Sequence, residues 1–545
     1  MKMTHFWGNQ AAFRLALLII AAFAGSASAA GFLHTQGEDI VDAQGQKLVL
    51  RGVGLGNWML PEGYMWRFGE NGDRPRRIEK IVSDLIGPER AAKFWPEYRK
   101  EYVTERDIRR LAGLGFNSVR PALDARLFLS EGENPVYQPE GFKLLDHLVH
   151  WCGRNGVYVI IDMHAAPGGQ TGQNIDDSAN DQPELFMNPA NQDRLVALWV
   201  KLATRYRDNP TVAAYDLLNE PLPERTGAAA KYKHELEPLY RRITQAIRAV
   251  DKKHMITVEG ANWANDWSVF STPFDDNLVY QFHYYCWANP TRLDDIHPFL
   301  VRRLQLGAPL WVGETGERDE AIYWATTDYF EANNIGWSFW PWKKMNTRNT
   351  PYSIKTPQNW DAIMAYSRRS GAPKPSPEAA QKALDELLQN IRLENCEFYP
   401  EVVNAILRRV PGKVEAEDYG HEGLNASYFV KAATAQAKYY RTSEPVPVEL
   451  VEPAGQAIQL QAGEWTAYTV NSLAAKTYAL TVKAKAERAP AVIQISVNDQ
   501  SQELAVEDQN WVEIKLNPVS LLAGANQVKL SIKSGAVGVD WMEFQ

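Results

Sequence analysis

Short apolar runs alternate with longer amphipathic stretches along most of this chain. The runs lie at 47–53, 116–120, 157–163, 212–218, 255–259, 278–283, 309–313 and 336–340, and most are β-branched or aromatic. Continuous apolar runs of this kind suit strands buried on both faces of a parallel sheet. Between them, apolar positions recur at helical spacing over 104–114, 140–155, 192–207, 232–250 and 319–334. Gly115 and Gly156 follow two of these stretches, where a left-handed residue commonly ends a helix. Eight strands alternating with helices predict an α/β fold, a (β/α)8 TIM barrel over residues 30–370. The competing architecture, an open doubly wound sheet, would carry a Gly-rich phosphate loop after its first strand. Gly52, Gly54 and Gly56 lie there, but without GxGxxG spacing and with no helical pattern directly behind them.

The texture changes beyond residue 370. A Pro-rich break at 372–377 leads into helical patterns at 377–392 and 400–409, an extension spanning 371–411. From Val414 the helical spacing vanishes. Short strand-like runs follow at 465–470, 477–485, 491–497, 511–516 and 527–532, separated by Gly, Asn and Pro turns. Residues 412–545 therefore read as a separate all-β module, a jelly-roll-like sandwich. At the other end, residues 1–29 read as a cleaved signal peptide. Lys2 and Arg14 supply positive charge, 15–24 is apolar, and Ala27-Ser28-Ala29 gives a small-residue cleavage pattern. The run is too short to span a bilayer comfortably. The mature protein is expected to be soluble, without a membrane partner, and secreted or periplasmic.

Composition sharpens this picture in three places. Lys+Arg 58 against Asp+Glu 66 leaves a formal charge of −8, so no nucleic-acid partner is expected. Cys152, Cys286 and Cys396 are far apart and form no CxxC pair, which argues against a disulfide scaffold and a structural zinc. The 18 Trp and 23 Tyr supply flat apolar faces that suit a packed core or a stacked sugar ring, and composition does not choose between them.

In a barrel, functional groups gather at the carboxyl ends of the strands. Here the strands end in Arg120, in Asp162-Met163-His164, in Asn219-Glu220-Pro221, in Glu259, in His283-Tyr284-Tyr285, in Glu314 and in Trp340. Strand ends are wet and polar in many proteins. The convergence of so many on one face, with Glu220 and Glu314 from the fourth and seventh strands, is more specific. Two carboxylates across a cleft suit glycoside hydrolysis, one donating a proton to the leaving oxygen and the other attacking the anomeric carbon. No HExxH, no strand-terminal GxSxG and no phosphate loop is present to support peptidase or phosphoryl-transfer chemistry.

The ordered set Arg51-Gly52-Val53-Gly54-Leu55-Gly56-Asn57-Trp58, Gly115 to Arg120, Asp162-Met163-His164, Asn219-Glu220-Pro221, His283-Tyr284-Tyr285, Val312-Gly313-Glu314 and Gly336 to Trp340 resembles glycoside hydrolase family 5, the cellulase-like barrels of clan A. The resemblance covers about residues 32–370. It implies Glu220 as acid/base, Glu314 as nucleophile and no cofactor for catalysis. It implies Asn219 on the sugar 2-hydroxyl, Arg120 beside Glu314 favouring its ionised form, and Tyr285 hydrogen-bonded to Glu314. His164 and His283 would line the sugar site and Trp340 would be its stacking floor. It also implies retention of anomeric configuration, with the carboxyl groups about 5–5.5 Å apart. The stretch from Asp162 to Gln170 looks most like members acting on β-glucans and leans towards β-1,3-glucan. The expected activity is thus an exported retaining β-glucan hydrolase. A β-glucan transglycosylase and a non-catalytic polysaccharide-binding protein stand as alternatives.

The C-terminal module resembles carbohydrate-binding modules of families 6 and 35, through Val414 to Tyr419, Gly463 to Val470 and Asp540 to Phe544. That resemblance implies a structural calcium on Glu415, Glu417 and Asp540, with Trp511 and Tyr439 or Tyr440 as stacking aromatics. Gly538 stands where those families often carry Asn. Elsewhere, Trp58, Trp66, Trp263, Trp267, Trp287 and Trp342 divide between outer sugar subsites and ordinary packing. Asp176 and Asp177 read as a solvated loop, and Glu259 receives no catalytic role.

Overall fold

The computed structural model describes residues 31–287, 292–368, 371–437, 440–451 and 455–545. The segment read as a signal peptide and Tyr439 lie outside them. Eight parallel strands close into a barrel: β1 (Arg51–Leu55), β2 (Ser118–Asp124), β3 (Tyr158–Ala165), β4 (Val212–Asp216), β5 (Met255–Glu259), β6 (Leu278–His283), β7 (Leu310–Gly316) and β8 (Gly336–Trp340), with β8 pairing back onto β1. Nearly every strand residue is buried, as expected for strands with helices outside and packed side chains inside. All eight expected strands form. The fourth is shorter than its apolar run and stops at Asp216, so Asn219 and Glu220 sit on the loop beyond it.

The helical spacings give α3 (Glu105–Leu114), α4 (Pro139–Arg154), α5 (Pro189–Tyr206), α6 (Ala228–Arg248) and α8 (Glu320–Ala332). Other helices escape the periodic reading, among them α1 (Pro75–Ile86), α2 (Pro88–Tyr102) and α7 (His297–Leu306), besides the shorter Glu184–Met187 and Trp360–Ser367. Each of α1, α2 and α7 carries proline in its first turn, where the missing N–H costs nothing. In α2 an internal Pro96 and a mixture of charged and aromatic residues blur the spacing. Its aromatic face meets Trp66, which contacts Phe94, Trp95 and Tyr98 at 5.3–6.4 Å between ring centroids. Trp58 and Trp66 are each 1% exposed, so they are core and not sugar subsites.

A hairpin of His34–Gln36 and Asp39–Val41 precedes the barrel. Around it Leu33, Ile40, Leu50, Ile160, Met255, Val279 and Trp311 form an apolar cluster. Those barrel residues lie at or near the amino ends of their strands, so the cluster seals the bottom of the barrel. Among the described residues no helix is long and apolar enough to cross a membrane.

Beyond the barrel, α9 (Pro377–Asn390) packs on α1 and α2. The Lys343 ammonium joins the carbonyl of Ile391 at 2.8 Å to Asp107 at 3.0 Å. The extension is therefore built onto the barrel wall. After α10 (Pro400–Ile406) the chain enters a mostly-sheet module at Arg409–Val410, which pairs with Asn471–Ser472. Gly412–Glu415 then pairs antiparallel with the last strand, Gly524–Phe544. The two runs read as separate strands at 477–485 and 491–497 lie mostly within one bent strand, Leu480–Val497, whose register shifts against its neighbour. Module and barrel share a packed contact. Trp324 of α8 is 3% exposed and belongs to the apolar core of the module. Arg408 pairs with Asp328 and Glu331 of the same helix at 3.2 and 2.7 Å.

Candidate active site

The sequence-selected strand ends meet at the carboxyl face of the barrel. Arg120 is completely buried at its centre. It donates to Glu314 Oε1 at 2.7 Å, to Asp216 at 2.8 Å, to Asn219 Oδ1 at 2.8 Å and to Glu259 Oε1 at 3.1 Å, and Asp162 lies 3.2 Å away. One guanidinium thus orders four carboxylates. Its five donors in a rigid fork make arginine suited to that task. Expected among the sugar-binding residues, Arg120 has no exposed surface and instead holds the acids from beneath.

Glu314 also accepts a hydrogen bond from the Tyr285 hydroxyl at 2.6 Å. Burial pushes this hydroxyl well above its ordinary value, so it remains a donor. Burial likewise pushes the Glu314 carboxyl up, against the pull of His283 and Arg120. Arg120 acts in the expected direction, but burial outweighs it. Glu220 faces Glu314 from the other side. The His283 Nδ1 bonds Glu220 Oε1 at 2.8 Å. One atom from each of Glu220, His283 and Glu314 lies within 4.8 Å of the other two. Glu220 has φ +42°, a left-handed conformation that is uncommon for a residue with a side chain. Its amide donates to Glu259 Oε2 at 2.6 Å.

Around this pair the other strand-end groups are fixed by one another. Burial lowers His164 to about 4, so the ring is neutral. Its Nδ1 lies 2.7 Å from Asp162 and its Nε2 3.2 Å from the Asn219 amide nitrogen. A neutral ring that donates at Nδ1 accepts at Nε2, and this sets the orientation of the Asn219 amide. Trp340 lies parallel to His164, 5.2 Å between centroids and 3° between planes, and its indole N–H donates to Tyr64. Gly54 of β1 and Gly56 just beyond it make room for it. A Cβ at Gly54 would come within 2.2 Å of the Trp340 ring, and one at Gly56 within 2.5 Å. The Gly-rich first strand end thus accommodates an aromatic ring.

Residues 86–346 match the cellulase (glycosyl hydrolase family 5) model. The enzyme is a glycoside hydrolase. The hydrolase is 28% identical over 425 residues to a β-xylosidase of Phanerodontia chrysosporium, covering 70% of this chain and 87% of that one. It is 30% identical over 195 residues to endoglucanase C of Acetivibrio thermocellus, covering 35% and 53%. It thus spans about half the length of that relative. To a probable glucan 1,3-β-glucosidase A of Aspergillus clavatus it is 24% identical over 294 residues, covering 52% and 68%.

Several site residues of the hydrolase were not selected from sequence. Glu62 is 2% exposed with Oε1 unpartnered, and burial together with Glu314, Glu317 and Glu220 holds its carboxyl well above the ordinary range. Lys344 pairs with Glu317 at 2.7 Å and lies 5.5 Å from the Tyr64 ring centroid. Only the adjacency of Pro61-Glu62 to the first strand end hinted at this wall. A cavity of about 710 Å³ opens beside Glu220, lined from the loops after β3 to β6 by Asn174, Arg225, Trp263, Asn265, Tyr285 and Trp287 among others. Trp287 is 59% exposed and stacks on Tyr285 at 5.4 Å. Trp267 and Trp342 are buried in the core. Asp176 and Asp177 are buried as well. Asp176 ties its own loop together by accepting from Thr171, Gly172 and Ser178, and Asp177 pairs with Arg76 and Arg126.

Among the described residues the ligand atoms of Glu415, Glu417 and Asp540 in the C-terminal module do not gather within 4.8 Å of one another as those of Glu220, His283 and Glu314 do. Burial, then Asp418 and Glu415, hold the Glu417 carboxyl well above its ordinary range. Glu417 Oε2 is buried without a partner. Lys413 pairs with Glu415 at 3.0 Å and Lys483 with Asp540 at 2.8 Å. Tyr440 is 1% exposed and offers no face to a sugar. Trp511 lies under the ammonium of Lys485, 5.0 Å from the ring centroid, and a Cβ at Gly538 would come within 3.1 Å of that ring.

Proposed function

We propose that the enzyme hydrolyses β-linked glucan with retention of configuration, with Glu314 as nucleophile and Glu220 as acid/base. The observation that carries this reading is the approach of the two carboxylates to within 4.8 Å across His283. Retaining enzymes need the short separation, because the second carboxylate attacks carbon directly and leaves no room for a water. Arg120 and Tyr285 occupy one oxygen each of Glu314, so either oxygen that attacks starts from a fixed position.

The open cavity lies on the Glu220 side, where a proton donor meets the leaving group. On the other side stand Tyr64, 39% exposed and bonded to Trp340, Lys344 paired with Glu317, and buried Glu62. The likeness to a β-xylosidase and a probable glucan 1,3-β-glucosidase supports action at a chain end, with the rest of the substrate against Trp287 and Trp263. The linkage we put first is β-1,3, on the stretch from Asp162 to Gln170 and the likeness to a probable glucan 1,3-β-glucosidase. A screen of β-1,3-, β-1,4- and β-1,6-gluco-oligosaccharides and β-xylosides, with products resolved by length and anomer, tests the reading. Release of single β-glucose units from β-1,3 substrates is expected. Faster release of xylose would move the substrate class, longer transfer products would favour transglycosylation, and an inverted anomer would remove the nucleophile role of Glu314. Residues 1–29 have the pattern of an export leader, and a secreted or periplasmic location fits a polymeric substrate.

For the C-terminal module we propose a carbohydrate-binding-like role with one structural calcium on Glu415, Glu417 and Asp540. The unpartnered Glu417 oxygen supports it, since carboxylate oxygens suit a hard cation. Binding to the folded state alone would add about 2.7 kcal/mol at a hundredfold excess over Kd. Chelator should therefore lower the melting temperature, and Glu417→Ala should erase the response. An unchanged melting curve with no metal on elemental analysis would leave Lys413 and Lys483 as the counter-charges of Glu415 and Asp540.

A further inference from the structure

Glu259 closes β5 with no exposed surface and with both carboxylate oxygens engaged. Arg120 already has Asp162, Asp216 and Glu314 around it, so balancing that one cation does not account for where Glu259 sits. Its Oε2 accepts the amide N–H of Glu220 at 2.6 Å. Its Oε1 accepts from Arg120 at 3.1 Å and from Gln281, and faces His283 Nε2 at 3.3 Å. The opposite ring nitrogen of His283 bonds Glu220 Oε1 at 2.8 Å and stands 3.7 Å from Glu314. From outside the barrel, the Tyr240 hydroxyl of α6 donates to the Glu259 carbonyl at 3.0 Å and anchors the strand end.

We propose that Glu259 is a positioning residue for the reaction: one oxygen fixes the Glu220 peptide in its left-handed conformation, and the other pairs with Arg120 and faces His283, the two side chains that contact the catalytic carboxylates. The proposal rests on the reading of Glu220 as acid/base. A left-handed peptide is held only where its surroundings over-determine it, and a buried carboxylate accepting that N–H is a strong constraint. The line Glu259, His283, Glu220 also prepares for charge. When Glu220 gives its proton to the leaving oxygen, the new carboxylate already faces an imidazole whose far side is held by Glu259. The acids facing His283 are Glu259, Glu314, Glu220 and Asp162. Burial alone would lower His283, but Glu259 first and then Glu314 and Glu220 hold it well above its ordinary value.

The test compares wild type with Glu259→Ala, Glu259→Gln and Glu220→Gln on aryl glycosides spanning leaving-group acidity. Glu259→Ala is expected to lose about 100-fold in kcat for poor leaving groups, the cost of a misplaced acid. It should keep KM and the glycosylation rate for dinitrophenyl glycosides within a few-fold. Glu259→Gln keeps an acceptor for the Glu220 amide but loses the charge. In that variant the ring nitrogens of His283, followed by nitrogen NMR, should change to the neutral form at lower pH than in wild type. Should Glu259→Ala not fold, Glu259→Gln carries both readouts, with a smaller leaving-group effect. Equal losses across leaving groups, or unaltered kinetics with an unmoved His283, would overturn the proposal. Glu220→Gln separates the two readings. If it shows leaving-group dependence and the Glu259 variants do not, only the role of Glu259 falls. If it shows none, the acid/base assignment falls and the role of Glu259 with it.

Discussion

Glu314→Ala is expected to abolish turnover of natural glycan, by on the order of 10⁴-fold or more, while leaving the barrel folded. The charge network survives the change. Arg120 keeps Asp162, Asp216 and Glu259 as partners, so the guanidinium is not stranded. What disappears is a carboxylate that combines contact with Arg120, a hydrogen bond from Tyr285 and proximity to Glu220. The vacated space is lined by two donors, Arg120 Nη1 and the Tyr285 hydroxyl, and suits a small anion. Azide should therefore restore part of the activity on substrates with good leaving groups and give a glycosyl azide of inverted configuration. Near-normal activity of the variant, or a rescued product of retained configuration, would show that another group attacks the anomeric carbon.

Glu220→Gln should separate substrates by leaving group. General acid catalysis is worth about 10²–10⁴-fold, so unactivated glycosides should lose that much. Dinitrophenyl glycosides leave without a proton and should keep a fast first step. The second step, in which the carboxylate would activate water, should be slowed for both. A glycosyl-enzyme then accumulates, and a burst precedes slow turnover. Glutamine keeps an oxygen for His283 at the 2.8 Å contact and the backbone bond to Glu259, so the effect reports chemistry more than rearrangement. Equal loss for both substrate classes, with no burst, would remove Glu220 from the acid/base role.

The strands and the residues at their ends could be read in one dimension, because each is a local property. A strand buried on both faces needs an uninterrupted apolar run, and its last residues are named by where that run stops. That is why Glu314, His164, His283 and Trp340 could be named from order and spacing, and Glu220 from an apolar run that outlasts its strand by two residues. Helix α1 was legible, since Ile78, Ile81, Val82, Leu85 and Ile86 keep amphipathic spacing. In α2 an internal proline and aromatic residues blur that spacing, and α7 buries little beyond Leu306. The six ambiguous tryptophans could not be sorted, since a ring facing water and a ring facing a helix look alike in sequence.

The sequence by itself determined the barrel and the mostly-sheet region that follows it, and it placed Glu220 and Glu314 among the residues at or beyond strand ends. Only the tertiary structure decided what surrounds them. Arg120 and Glu259 are 139 positions apart and share one hydrogen bond, and Glu62 meets the catalytic face from the loop after the first strand. Trp324 completes the core of a module that begins some ninety residues later. Apolar periodicity is set by neighbours along the chain, whereas the direction of a buried charge is set by the partners that closure of the barrel brings to it.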